Sequence, residues 1–129
     1  MIDGKAMVAV AAGAAIGGVL RYVVGQVFLQ RFGPGFPYGT LFINVSGSVL
    51  IGIVAQLALT RAFGITPFLR VLLATGLLGG YTTFSTFSID ALTLLETGLL
   101  PAFVYTAASV VLGLAGAGLG VVIARLAQR

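Results

Sequence analysis

Charge, cysteine and histidine are what this chain lacks. Its 129 residues include three carboxylates and seven basic side chains, with no cysteine and no histidine. Without cysteine there is no disulfide framework, no thiolate metal site and no redox clue. Without histidine the commonest proton shuttle and metal ligand are missing. So few charges cannot form the polar shell that a soluble domain of this length needs. In their place are 59% hydrophobic residues and a mean hydropathy of +1.14. The sequence therefore reads as an integral membrane protein. Its net charge of +4 does not argue for nucleic acid. The basic residues are scattered singly near the ends of apolar segments, as headgroup anchors are.

A span takes about 20 apolar residues to cross roughly 30 Å of hydrocarbon. Four segments qualify, at about 6–32, 38–60, 67–96 and 100–126, separated by "RFGPGFPYG", "TRAFGITP" and "TGLLP". Pro67 suits the first turn of the third. The linkers are too short to hold another domain, so residues 1–129 are predicted to form a single four-helix transmembrane domain. Lys5, an apolar stretch and small residues such as Ala9 and Ala11 have the outline of a secretory signal. The apolar run continues well past signal length, so an uncleaved first span is expected. Gly13 with Gly17, and Gly116 with Gly120, are small pairs at four-residue spacing. Each pair is either background glycine or a close backbone approach, and together they argue for a compact bundle.

The stretch "GGYTTFSTFS", residues 79–88, concentrates hydrogen-bonding capacity in an otherwise apolar chain. Residues 68–78 make about 11 residues of helix, roughly 16 Å, which is close to half the hydrocarbon thickness. "GGYTT" is therefore expected near the bilayer midplane, as a break in the third helix. A break at that depth is tolerated only if buried in protein or lining a cavity. Two readings stay open: a kink whose hydroxyls bond back to the preceding turn, or an ion site at the end of a half-helix. Phe84 and Phe87 share a helix face, as packing residues or as ring edges able to hold a small anion. Thr40, Asn44 and Ser48 form a polar track on the second span, and Tyr105 and Ser109 another on the fourth. Isolated hydroxyls in a span are often interhelical glue, but an unpaired Asn44 amide in lipid would cost several kcal/mol. No catalytic dyad or phosphate loop is present, so no enzyme is expected. The carboxylates are Asp3, Asp90 and Glu96, and only Asp90 is placed to lie inside the membrane. Neutral donors plus aromatic edges suit a passive anion path.

"GGYTTFSTFS", with "YGTLFINVSGS" and "LRY" at residues 20–22, resembles the Fluc (CrcB) fluoride channels over essentially the whole chain. That resemblance implies an all-α, dual-topology antiparallel homodimer in the inner, or plasma, membrane. Each dimer would carry two fluoride pores and a structural sodium ion at its centre. The sodium would be held by backbone carbonyls that map to Gly79 and Thr82. The pore residues map to Asn44, Phe84, Phe87, Tyr105 and Ser109. Thr40, Thr83, Ser85 and Thr86 follow as secondary pore contributors, and Asp90 and Arg21 as vestibule residues. Arg21 admits a second reading as a side chain snorkelling to an interface. Gly113 stands where some relatives carry a hydroxyl.

The implied function is passive, fluoride-selective export down its gradient, with neutral donors and ring edges replacing the ion's water. The rival is a small multidrug/proton antiporter of four helices, which would rely on a membrane carboxylate. A third reading is a non-transporting assembly subunit. Orientation carries a tension. With four spans, Lys5, Arg61, Arg70, Arg125 and Arg129 fall on one side and Arg31 on the other, which favours cytoplasmic termini. Dual insertion is easiest near zero bias. The preferred resolution places Arg70 and Arg125 deep enough to count weakly; an overridden bias and an oppositely oriented paralogue remain open.

Overall fold

The computed structural model describes residues 3–129. Helix α1 (Gly4–Phe32) begins at Asp3, whose carboxylate accepts from the Lys5 amide at 3.0 Å, an N-cap contact. It stops at Gly33, which has φ 75° and donates its N–H to the Leu29 carbonyl at 2.9 Å. A glycine takes that positive φ without the Cβ penalty. Helix α2 (Tyr38–Thr60) follows the Gly-Pro-rich connection. A short turn at Ala62–Gly64 leads to α3 (Pro67–Arg70). Thr66 Oγ1 caps α3, accepting from the Leu69 amide at 3.1 Å, and Pro67 occupies the first turn as its sequence position predicts.

Beyond α3 the helix widens into a π-helical stretch, Val71–Leu78, and continues as one short turn, α4 (Gly79–Tyr81). Arg70, Val71, Leu78 and Gly79 at the junctions all keep right-handed helical dihedrals. The rod is therefore continuous over residues 67–81. Thr82 (φ −76°, ψ 158°) and Thr83 (φ −150°, ψ 114°) are extended. Helix α5 (Phe84–Thr97) then restarts with Thr83 Oγ1 as its cap, accepting from the Thr86 amide at 3.1 Å. Gly98 turns the chain into α6 (Leu99–Ala127).

Among the described residues every regular element is helical, and α1, α2 and α6 are each long and apolar enough to cross a membrane. The chain is an all-α, multi-pass membrane protein. The segment at 67–96, expected as a span with a break at "GGYTT", is two helical pieces separated by extended Thr82 and Thr83. Its first rod covers roughly 20 Å at the α-helical rise, and α5 has 14 residues, so neither piece alone reaches span length.

Small residues weld the bundle. A Cβ on Gly13 would lie 2.5 Å from the Leu72 carbonyl oxygen, and one on Gly17 would lie 2.0 Å from that of Leu77. One on Gly120 would lie 2.0 Å from the Val49 oxygen, and one on Gly52 2.2 Å from that of Ala117. Gly13 and Gly17 are thus close backbone approaches of α1 to the π-helical rod, and Gly120 of α6 to α2, with Gly116 looser at 3.2 Å from the Val45 oxygen. The buried centre sits between α5 and α6, where fully buried Tyr105 packs with Leu94 and Ala102 beneath Phe36, Leu41, Phe87 and Ala91. Outward faces carry bare apolar side chains such as Leu99 and Leu114, as contact with lipid requires.

Candidate ion site at the helix break

The break is held by a contact across 39 positions of sequence. Asn44 on α2 accepts the Thr83 amide on Oδ1 at 2.8 Å and returns Nδ2 to the Thr83 carbonyl at 3.0 Å. The orientation of this carboxamide follows from its partners, because a backbone N–H must face the oxygen and a carbonyl the NH2. One side chain thereby pairs both backbone groups of Thr83 where the chain leaves the helix path. One Nδ2 hydrogen remains over. Gly47, one turn along α2, permits the approach: a Cβ there would lie 2.3 Å from Thr82 Cγ2. The hydroxyls of Tyr81 and Ser46 share a further bond at 3.1 Å.

Both hydroxyls of the break are engaged locally. Thr82 Oγ1 donates back to the Leu78 carbonyl at 2.9 Å, and Thr83 Oγ1 donates to Thr86 Oγ1 at 3.0 Å. The kink reading expected hydroxyls bonding back to the preceding turn, and Thr82 does so. The backbone nevertheless leaves the helix for two residues, which a kink alone does not require. The glycines of "GGYTT" stay helical. Gly80 serves packing: a Cβ there would lie 2.6 Å from the Ala14 carbonyl oxygen.

Two clefts flank the break. The first, about 370 Å³, is lined by Asn44, Ser48, Gly79, Thr82, Thr83, Phe84, Phe87 and Ser109 among others. The second, about 520 Å³, is lined by Arg21, Thr40, Thr83, Thr86 and Asp90 among others. Thr83 borders both. Phe84 is 79% exposed, and its ring centroid lies 5.4 Å from that of Phe87. Phe87 in turn lies 5.5 Å from Tyr105. In the first cleft Ser109 Oγ is buried without a hydrogen-bond partner among the described residues. In the second, Arg21 donates to the Thr82 carbonyl at 3.4 Å.

The residues singled out from sequence are therefore divided. Asn44, Phe84, Phe87, Ser109, Gly79 and Thr82 meet in the first cleft, while Thr40, Thr86, Arg21 and Asp90 meet in the second. Ser85 is exposed and lies 3.3 Å from Thr83 Oγ1. Tyr105 lines neither cleft and donates its hydroxyl to Asp90 Oδ2 at 3.3 Å. Asp90 is thus tied to α6. Gly113 leaves room beside α2, since a Cβ there would lie 3.7 Å from Ser48 Oγ. Ser48 itself donates to the Asn44 carbonyl at 2.7 Å. The pairing of Ser46 with Tyr81, and the approach at Gly47, were not anticipated. Ser46 lies off the Thr40–Asn44–Ser48 face, so helical periodicity gave no sign of it.

Comparison with known proteins follows the same residues. A family model described as "CrcB-like protein, Camphor Resistance (CrcB)" matches residues 8–121. A relative from Rhizobium meliloti is 51% identical over 117 residues, covering 90% of this chain and 93% of its own length. One from Nitrobacter winogradskyi is 49% identical over 121 residues, covering 93% and 95% respectively. One from Trichormus variabilis is 46% identical over 120 residues, covering 92% and 88%. Each is named "Fluoride-specific ion channel FluC". With the family model spanning most of its length and relatives this similar, the chain belongs to the CrcB family.

Proposed function

We propose that this protein is a fluoride-selective channel that lets fluoride leave the cytoplasm down its gradient. The observation that carries the reading is the first cleft: beside a helix break it gathers neutral donors and two phenylalanines, with no charged residue among those lining it. Fluoride is small and strongly hydrated, so a path for it must replace water with hydrogen bonds. The spare Nδ2 hydrogen of Asn44 and the unpartnered hydroxyl of Ser109 are positioned to donate. Phe84 and Phe87 add positive ring edges. Such ligands bind without fixing the ion by net charge, which allows release. On the other side of Thr83, Arg21 draws anions toward the second cleft, where Thr40 and Thr86 extend the run of hydroxyls, with the Ser85 hydroxyl beside Thr83 Oγ1. The reading is supported by the names of the relatives, and it needs no bond-making step, hence no enzyme.

The working unit in this proposal is an antiparallel homodimer in the inner, or plasma, membrane, the residues 67–96 forming a third, broken span. Two pores run beside a central two-fold. Highly exposed Phe84 and exposed Gly79 are what a second copy would cover. A sodium ion at that centre fits the oxygen set: Gly79 has lost its usual helical partner, because the Thr83 amide is bound to Asn44. Thr82 keeps a second lone pair beside the one facing Arg21. Bound there, sodium would supply a fixed positive charge that offsets crowded carbonyls and favours a nearby anion.

The test is efflux from liposomes containing purified protein, comparing fluoride with chloride, with Asp90→Asn alongside wild type. Fluoride flux without a proton gradient, retained in the variant, is expected. Flux that needs a proton gradient and dies with Asp90→Asn would move the protein to the antiporter class. Vesicles that hold their fluoride would leave only an assembly role.

A further inference from the structure

The sodium site proposed above raises the question of what keeps its carbonyls open, and the answer below rests on that site. In an unbroken α-helix the Thr83 amide donates to the carbonyl of Gly79, four residues back. Here it donates to Asn44 Oδ1 at 2.8 Å. The extended dihedrals of Thr82 and Thr83 carry the chain off the helix path. We infer that Asn44 is a positioning residue for the cation: by taking the Thr83 amide, it keeps the Gly79 carbonyl available to a metal ion.

The geometry uses both ends of the carboxamide. Nδ2 grips the Thr83 carbonyl at 3.0 Å, so one side chain clamps one residue as a neighbouring strand would. Ser48 Oγ bonds the main-chain carbonyl of Asn44 at 2.7 Å, steadying the helix that carries the clamp. Gly79 lines the first cleft and is exposed, near the end of the rod. Neutral oxygen ligands of this kind suit hard cations. A side chain that orients a ligand without touching the metal commonly changes metal affinity by about 10- to 100-fold when lost.

This role is separable from direct contact with a passing anion. A direct donor alters flux alone, whereas a positioning residue also alters the response to sodium. The experiment is thermal unfolding of the full chain in detergent across a sodium titration at constant ionic strength. Wild type is compared with Asn44→Leu, which lacks both polar ends, and Asn44→Asp, which keeps the acceptor for the Thr83 amide. The expected result is a sodium midpoint at least about tenfold higher in Asn44→Leu, with Asn44→Asp at or below wild type, because its acceptor is kept and its negative charge favours the cation. An Asn44→Leu midpoint equal to that of a sodium-responsive wild type overturns the inference while leaving the sodium site standing. A wild type that ignores sodium removes the site itself, and the inference with it. If Asn44→Leu does not fold, labelled wild-type protein decides. A hydrogen-bond scalar coupling between the Thr83 amide nitrogen and the Gly79 carbonyl carbon would overturn the inference. Its absence, with a Gly79 carbonyl resonance that moves with sodium, upholds it.

Discussion

The guanidinium of Arg21 reaches from α1 to the carbonyl oxygen of Thr82, 3.4 Å away and 61 positions along the chain. In the proposed function that carbonyl also serves a cation, so two positive charges face one oxygen. Substituting Arg21→Gln keeps donors but removes the charge. At about 6 Å and an effective dielectric constant of about 20, relief of a like-charge repulsion of roughly 3 kcal/mol corresponds to sodium binding tighter by on the order of 100-fold. The expected outcome is a sodium midpoint for thermal stability that falls by about that factor. An unchanged midpoint would separate Arg21 from the cation.

Ser109 offers a cleaner division between stability and transport. A buried hydroxyl without a partner costs about 1–3 kcal/mol, so Ser109→Ala should leave the melting temperature unchanged or raise it. Fluoride efflux should fall by about tenfold if one hydrogen bond to the ion is worth roughly 1.4 kcal/mol. Melting and electrode-monitored efflux on the same preparation check both halves.

Phe84 is so exposed that shortening it removes little packing within the chain. Phe84→Ala is expected to fold like wild type yet lose at least about tenfold in fluoride flux, because a ring edge that the proposed function sets against the ion is gone. Normal flux in this variant would place the ring outside the path.

The glycines of α6 give a paired control. A Cβ on Gly120 would lie 2.0 Å from the Val49 oxygen, whereas nothing lies within 4 Å of one on Gly118. Gly120→Ala should destabilise by about 1–3 kcal/mol through overpacking. Gly118→Ala should be neutral or stabilising by up to about 1 kcal/mol. Thermal shifts in detergent distinguish them.

Much of this was legible in the sequence, for identifiable reasons. Lipid demands long apolar runs, and these stop at recognisable glycine, proline or charged positions, so α1, α2 and α6 begin and end within two residues of their expected limits. The glycine pairs were visible as spacing, although only the structure tells close contact from background. The position of the break was partly hidden. Local propensity points at Gly79 and Gly80, the weakest helix formers present. What decides is Asn44, 39 positions away, whose carboxamide competes for the Thr83 backbone. The π-helical widening at Val71–Leu78 has no composition signal at all. In the site, periodicity aligned Thr40 with Asn44 and Tyr105 with Ser109. It had no means of showing that Tyr105 would be sealed in the core against Asp90, or that the remaining residues would sort into two clefts.

The placement of Thr83 on both clefts has one more consequence. In the proposed channel, anions resting against Thr83 from its two sides would be near neighbours. At about 7 Å and an effective dielectric constant of about 20, like charges repel by roughly 2 kcal/mol. Double occupancy would therefore shorten the stay of each ion, and an arriving one would help expel its predecessor. In the proposed channel, a threonine so placed would let tight coordination coexist with rapid throughput.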